Sequence, residues 1–264
     1  MQFKRAWKQV DGVLLLDKPI GLTSNDALQK ARRLFSAAKG GHTGTLDPLA
    51  TGLLPLCFGE ATKFSADLLD ADKTYEAELK LGVTTDSGDA EGEIIATAAV
   101  DVAESDISRV LPQFTGDIEQ IPPMHSALKR NGRPLYELAR KGIEVEREPR
   151  AVTIYAIDLL NFAGDRLTLR VACSKGTYIR VLAADIGKAL GCGAHLAGLR
   201  RTVVGDLDLA RSVTLAELEA LDEAGRAEHL QPVDALLHSL PVVMLEGEVV
   251  QMGWWSSGLM TAKG

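Results

Sequence analysis

Residues Gly40 to Ser65 read GGHTGTLDPLATGLLPLCFGEATKFS. Five glycines, two prolines, a histidine and several threonines are interleaved with leucines here, and Asp47 and Glu60 are the only carboxylates. Asp47 thus stands alone in an apolar, turn-rich loop. Two readings of it are open. Asp-Pro is a common turn opener, so Asp47 could do no more than cap this turn. The other reading is a carboxylate held in an apolar pocket, where remaining charged is costly unless a cation or several N–H donors attend it. Such a group is a candidate nucleophile.

The segments on either side read as a mixture of strands and helices. Val13 to Asp17 is a short buried strand, broken by Lys18-Pro19 and Gly21. Ser24 is placed to cap a helix running through Phe35. From Tyr75 to Gly82 the chain alternates, with Tyr75, Ala77, Leu79 and Leu81 on one face and Glu76, Glu78 and Lys80 on the other, which is a strand with one wet face. Ile107, Val110, Leu111 and Phe114 keep helical spacing, and Pro112 ends that helix. Strands follow at Val152 to Leu160 and Leu167 to Cys173. In SKGTYIRVLAADIGKALGCG, Ile179, Leu182, Ala183, Ile186 and Leu190 recur at helical intervals after a turn, with Tyr178 and Arg180 at the helix start and Gly191 stopping it. Thr214 and Glu217 form a capping box ahead of a short helix with Leu215 and Leu218 inward. Interleaved elements without a βαβ rhythm predict an α+β fold, a mixed, mostly antiparallel sheet flanked by helices and loops.

The chain has 264 residues, which at ~150 residues per domain allows one large domain with a small appendage. Apolar residues make up 46% and charged residues 25%, so a largely disordered or fibrous chain is excluded. No run reaches the ~18 apolar residues of a membrane span, and the basic opening has no apolar segment behind it, so a cytoplasmic location and no membrane partner are expected. Cys57, Cys173 and Cys192 are too far apart for a CxxC pair and are expected to be reduced, buried and inert. The net charge of −7 is poor for a protein that grips nucleic acid over its whole surface. The positive charge is, however, segregated. Residues 122–150 carry seven Lys or Arg against four Glu, and residues 1–42 carry eight against three Asp. Together these segments favour an anionic ligand.

Several chemistries fail on spacing. There is no GxxxxGK[ST] phosphate loop, and in GCGAHLAG the third glycine falls too late for a dinucleotide fingerprint. HExxH is absent, and His42, His125, His195, His229 and His238 lack ligand spacing, so no metal is expected. No GxSxG nucleophile elbow occurs.

The segment GHTGTLDPLATGLLPLCFGEATKF resembles the signature of the TruB-type bacterial tRNA pseudouridine synthases. The resemblance continues through LLLDKPIGLTSNDALQKARR, DKTYEAELKLGVTTDSGDAEGE, IEQIPPMHSALKRNGRPLYELARKGIEV and CSKGTYIRVLAADIGKALGCGAHLAGLRR, in the family's order over roughly residues 12–240. It implies the pseudouridine synthase fold and conversion of a tRNA T-loop uridine (position 55) to pseudouridine. It further implies base flipping, no cofactor and no metal, with the tRNA T-stem and loop as partner; a monomer is expected. The chemistry explains the residue types. A carboxylate attacks the sugar or the base or stabilises the developing cation, and removal of the C5 proton needs a base.

By the resemblance Asp47 is the catalytic residue, Arg180 pairs with it, and Tyr75 stacks on the flipped base, with a further part in proton transfer. Tyr178 lies close to the base, Leu199 contacts uracil through its backbone, and His42 enters the RNA where the base has left. Lys18 joins the substrate-binding set. Residues 122–150 match an insertion that closes over the T-stem and loop, with Lys129, Arg130 and Arg133 on phosphates. Position 125 is His where many relatives carry an aromatic residue. The family's small C-terminal RNA-binding PUA domain is expected to be incomplete or vestigial in residues 241–264, leaving 1–240 as the catalytic domain. Two other readings are an RNA-folding helper that opens the tRNA elbow and an aspartate-nucleophile hydrolase; the latter is disfavoured because no second carboxylate is evident near Asp47.

Overall fold

The computed structural model describes residues 6–236 apart from residues 125, 127, 131 and 140, with the main chain alone at 67, 129, 130, 133, 134 and 136. The expected C-terminal segment, residues 241–264, and His125 lie outside the described residues. The chain opens with β1 (Gly12–Lys18), α1 (Ser24–Leu34), β2 (Gly40–His42) and β3 (Ala50–Phe58), then a 3-10 turn into α2 (Ser65–Leu69). Next come β4 (Lys73–Leu81), β5 (Val83–Thr85), β6 (Ile94–Thr97), α3 (Glu104–Val110), β7 (Gly116–Gln120), β8 (Lys129–Arg130), β9 (Arg133–Pro134) and α4 (Leu135–Ala139). The remainder is β10 (Arg150–Ala163), β11 (Arg166–Cys173), α5 (Ile179–Ala189), β12 (Ala194–Val204), β13 (Leu207–Asp208), β14 (Val213–Thr214), α6 (Leu215–Ala220), α7 (Glu223–Ala227) and β15 (Leu230–Gln231).

One long sheet runs in the order β14-β1-β3-β12-β4-β11-β10-β7. The β1·β14 and β3·β12 pairs are parallel, and the other pairs along this path are antiparallel. This is the α+β architecture with a mixed, mostly antiparallel sheet that the pattern predicts. No helix among the described residues is long and apolar enough to cross a membrane.

Strand β1 is apolar without alternation because both of its faces are covered. Leu14 and Leu16 pack with Ala27, Leu28 and Ala31 of α1 and Leu218 of α6. Val13 and Leu15 pack on the opposite side with Leu53, Cys57, Leu68 and Leu236. At the other end of the sheet, Ala77, Leu79, Leu169 and Val171 form a second core with Ile107 of α3 and Leu182 and Ile186 of α5. Tyr75 and Leu199 pack against both the α1 core and the α5 core, so they mark the seam between the two halves. All three cysteines are buried and free.

Two expectations are corrected. Helix α1 is capped by Thr23, not Ser24: the Thr23 Oγ accepts from the Asp26 N–H at 3.1 Å, and the Asp26 carboxylate accepts from Thr23 in return. Ser24 is buried and serves the neighbouring loop instead. The stretch after Asp47, read as an apolar loop, is mostly β3, a strand whose residues from Gly52 onward are buried. Pro55 is tolerated inside it opposite Leu15, and its carbonyl accepts from the Thr43 N–H at 3.1 Å. Pro112 behaves as expected, converting α3 into a 3-10 turn over Leu111–Phe114.

Candidate active site

Asp47 lies on the turn between β2 and β3, and its loop is held from both sides. The Ser24 Oγ accepts from the Leu46 N–H at 2.7 Å, and the Gly21 N–H donates to Pro48 O at 2.8 Å. The turn is closed by main chain, Ala50 N–H to Asp47 O at 3.0 Å. The Asp47 side chain is therefore left to face Arg180, which answers the question between a turn cap and a presented carboxylate. The parallel join of β3 to β12 sets Ala50 beside Leu199 and Gly52 beside Arg201. That join demands glycine: Gly52 has φ +97°, and a Cβ there would stand 2.3 Å from Arg201 O.

Arg180 enters from the first turn of α5. Its Nη2 lies 3.3 Å from the Asp47 Oδ2, and its Nη1 donates to the Asp89 Oδ2 at 3.2 Å. The Arg180 and Asp89 side chains are only 9% and 4% exposed, whereas that of Asp47 is 46% exposed. Asp89 is itself held by Ser87 Oγ at 2.6 Å and by the Glu91 N–H at 3.0 Å. One buried guanidinium thus bridges a rigid, buried carboxylate and a presented one. The apolar pocket expected around Asp47 is corrected here: its carboxylate keeps part of its hydration at the open side of a cleft, and Asp89 is the enclosed member.

The cleft has a volume of about 1070 Å³ and is lined by His42, Asp47, Tyr75, Tyr178, Arg180 and Leu199 together with Asp89, Glu91, Lys73 and Arg201. Tyr178 sits at the N-cap of α5, and Gln120 fixes its backbone twice, accepting from its N–H at 2.9 Å and donating to its carbonyl at 3.3 Å. Burial raises the Tyr75 phenol above its ordinary value, opposed by the nearby Arg201 charge. Burial lowers His42, leaving a neutral ring at neutral pH whose Nδ1 has no hydrogen-bond partner among the described residues. Glu91 is raised, first by desolvation and then by the charges of Asp89 and Asp47.

Six of the site residues read from the sequence, His42, Asp47, Tyr75, Tyr178, Arg180 and Leu199, therefore meet in one cleft. Lys18 does not line it. It is fully buried, donating to Pro19 O at 2.9 Å and Leu22 O at 2.5 Å behind the Asp47 loop, and burial brings its ammonium down to about 8. Lys129, Arg130 and Arg133 occupy the paired strands β8 and β9. The sequence reading missed Asp89, Glu91 and Arg201. The first two stand in the acidic turn DSGDAEG and overturn the expectation that no second carboxylate would lie near Asp47. Among the described residues no group of His, Cys, Asp and Glu could hold a metal ion.

Comparison with known proteins gives matches along most of the chain. The N-terminal domain model of the TruB family pseudouridylate synthases matches residues 32–179, and the C-terminal domain model of tRNA pseudouridylate synthase B matches residues 180–238. The chain is 85% identical to tRNA pseudouridine synthase B of Dechloromonas aromatica (strain RCB) over 247 residues, covering 94% of this chain and 83% of that protein. It is 63% identical to tRNA pseudouridine synthase B of Azoarcus sp. (strain BH72), covering 93% of this chain and 82% of that protein. Among solved structures, a chain of a Cbf5-Nop10-Gar1 complex superposes with a TM-score of 0.68 at 32% identity; the match covers 85% of this chain and 61% of that longer one.

Proposed function

Because the chain belongs to the TruB family of pseudouridylate synthases, we propose that it isomerises a uridine of tRNA, at position 55 of the T-loop, to pseudouridine. The observation that carries this reading is the Asp47–Arg180–Asp89 bridge at the wall of a cleft that also presents Tyr75 and Leu199. The flipped uridine enters the cleft and stacks on Tyr75. Asp47, aimed by the Arg180 guanidinium 3.3 Å away, acts on the ribose or the base as the N1 glycosidic bond breaks. The uracil turns within the cleft, the C5 bond to ribose forms, C5 gives up its proton and N1 gains one. Every atom of the substrate is kept, so the reaction as proposed needs no cofactor. The neutral His42 ring fills the space the base leaves in the RNA. Residues 122–150 close over the T-stem and loop, with Lys129, Arg130 and Arg133 on phosphates.

Incubation with unmodified tRNA followed by chemical detection of pseudouridine tests the activity. Asp47→Asn is expected to abolish turnover while tRNA affinity stays within a few-fold, because an isosteric change removes the acting carboxylate without touching phosphate contacts. Turnover by that variant would assign the chemistry to another group.

A further inference from the structure

Arg201 is 1% exposed, yet no carboxylate pairs with it among the described residues. Its Nε donates to Leu53 O at 2.8 Å, and its Nη2 has no hydrogen-bond partner among the described residues. Two further buried ammonium groups, those of Lys18 and Lys73, repel it. A guanidinium enclosed in this way costs stability, and a cost of this kind persists where the charge has a use.

Its surroundings indicate the use. In the β12·β4 ladder Arg201 stands directly opposite Tyr75, so the two side chains leave the sheet on one face. Both line the cleft beside Leu199 and Asp47. The titratable groups acting on the phenol are Arg201 from β12, Cys173 from β11, whose buried thiol is pushed up to about 11, and Asp47 from its turn, and Arg201 has the largest electrostatic effect of the three. A guanidinium has donors only, so the phenolic oxygen facing it must accept. The Tyr75 hydrogen is then left for the open side.

We propose that Arg201 is a positioning residue for Tyr75: its guanidinium holds the phenolic oxygen as an acceptor and so directs the Tyr75 O–H toward the base in the cleft. This rests on reading the cleft as a uridine-isomerising site. Lysine could not replace it, because one ammonium cannot serve both Leu53 O and the phenol with the geometry of a planar fork.

The test is a double-mutant cycle of single-turnover pseudouridine formation on unmodified tRNA, with Arg201→Gln, Tyr75→Phe and the pair, each checked for native thermal unfolding. Arg201→Gln is expected to slow the reaction roughly ten- to a hundred-fold, the range for losing a charged hydrogen bond, with tRNA Kd within about three-fold. In the Tyr75→Phe background it is expected to add nothing. Equal losses in both backgrounds, or no loss in the first, would overturn the proposal. A second readout needs no activity: ¹³Cζ-tyrosine NMR of the free protein, with Tyr75 assigned through Tyr75→Phe. Arg201→Gln is expected to move the Tyr75 ionisation to higher pH while leaving Tyr155 in place; an unmoved Tyr75 overturns the proposal. If Arg201→Gln does not fold, Arg201→Lys is expected to fold and still lose at least about ten-fold in rate. Wild-type turnover by that variant, or failure of both variants to fold, would assign Arg201 to the framework alone. A wild-type protein inactive on tRNA would instead sink the functional reading and leave the NMR result to decide the Arg201–Tyr75 coupling.

Discussion

Arg180 serves two carboxylates of unlike burial, and the two should fail in different ways when removed. The Asp89 side chain is 4% exposed and bound by Ser87 and the Glu91 N–H as well as by Arg180. Neutralising it leaves a buried cation short of its partner, so Asp89→Asn is expected to cost about 3 kcal/mol or more in urea unfolding. Asp47 is half exposed, and Asp47→Asn should cost under about 1 kcal/mol while abolishing turnover. Equal stability losses would mean that the burial difference does not govern the pair. Lys73 provides a pH test. It is enclosed with its Nζ on the carbonyls of Leu68, Leu69 and Ala71, and burial brings it from 10.5 down to about 8. Its folded-state value lies below its unfolded one, so the unfolded chain binds the extra proton between about pH 8 and 10.5 and this group's contribution to stability rises across that window. Buried Cys57, pushed up to about 12, acts in the opposite sense, so the contribution is read as a difference. The stability of wild type minus that of Lys73→Met is expected to increase from pH 8 to 10.5 and to stay level below 8.

At the scale of elements, the site depends on one junction, the parallel pairing of β3 with β12, because it brings the Asp47 turn to Leu199 and Arg201. Gly52 permits that pairing. Gly52→Ala sets a Cβ against Arg201 backbone at a positive φ, and the two strands must part. A loss of about 3 kcal/mol or more in chemical unfolding is expected, with turnover falling even where the protein stays folded; a near-neutral variant would show that the strands can separate freely. The start of α1 separates framework from function in the same way. Thr23→Ala removes a cap worth about 1 kcal/mol and should lower stability more than it slows turnover, although Thr23 also lines the cleft. Ser24→Ala frees Leu46 next to Asp47 and should slow turnover more than it lowers stability.

Over the whole molecule, a net charge of −7 repels RNA at long range while the positive residues gather in two segments. Binding of tRNA through those segments is local phosphate neutralisation, which releases counterions. Replacing Lys129, Arg130 and Arg133 together with Ala is expected to weaken tRNA binding and to flatten the dependence of log K on log salt by roughly 0.7 per lost phosphate contact. An unchanged slope would place the RNA on another face. The two cores meet at Tyr75 and Leu199, so the cleft sits where the halves of the long sheet join, a position that anchors its walls in both.

The residue types in the GHTGTLDPLATG segment, the YIR start of α5 and the alternation from Tyr75 were legible in the sequence because local periodicity and turn chemistry are local properties. The strands at Val13, Tyr75, Val152 and Leu167 and the helix after Tyr178 follow from them, and so does the lone Asp47. The cap at Thr23 rather than Ser24 was not legible, since adjacent hydroxyls offer the same chemistry and only the Leu46 main chain, 22 residues on, claims Ser24. Nor was β3, where a glycine and a proline disguise a strand that burial on both faces sustains. Asp89 and Arg201 escaped for the same reason: nothing in DSGDAEG or LRR says that one will be enclosed against Arg180 and the other opposite Tyr75. Composition and period determined which elements form and which residues carry chemistry. The pairing of β12 with β3 on one side and β4 on the other, a long-range choice made by packing the cores against one sheet, decided which of those residues meet.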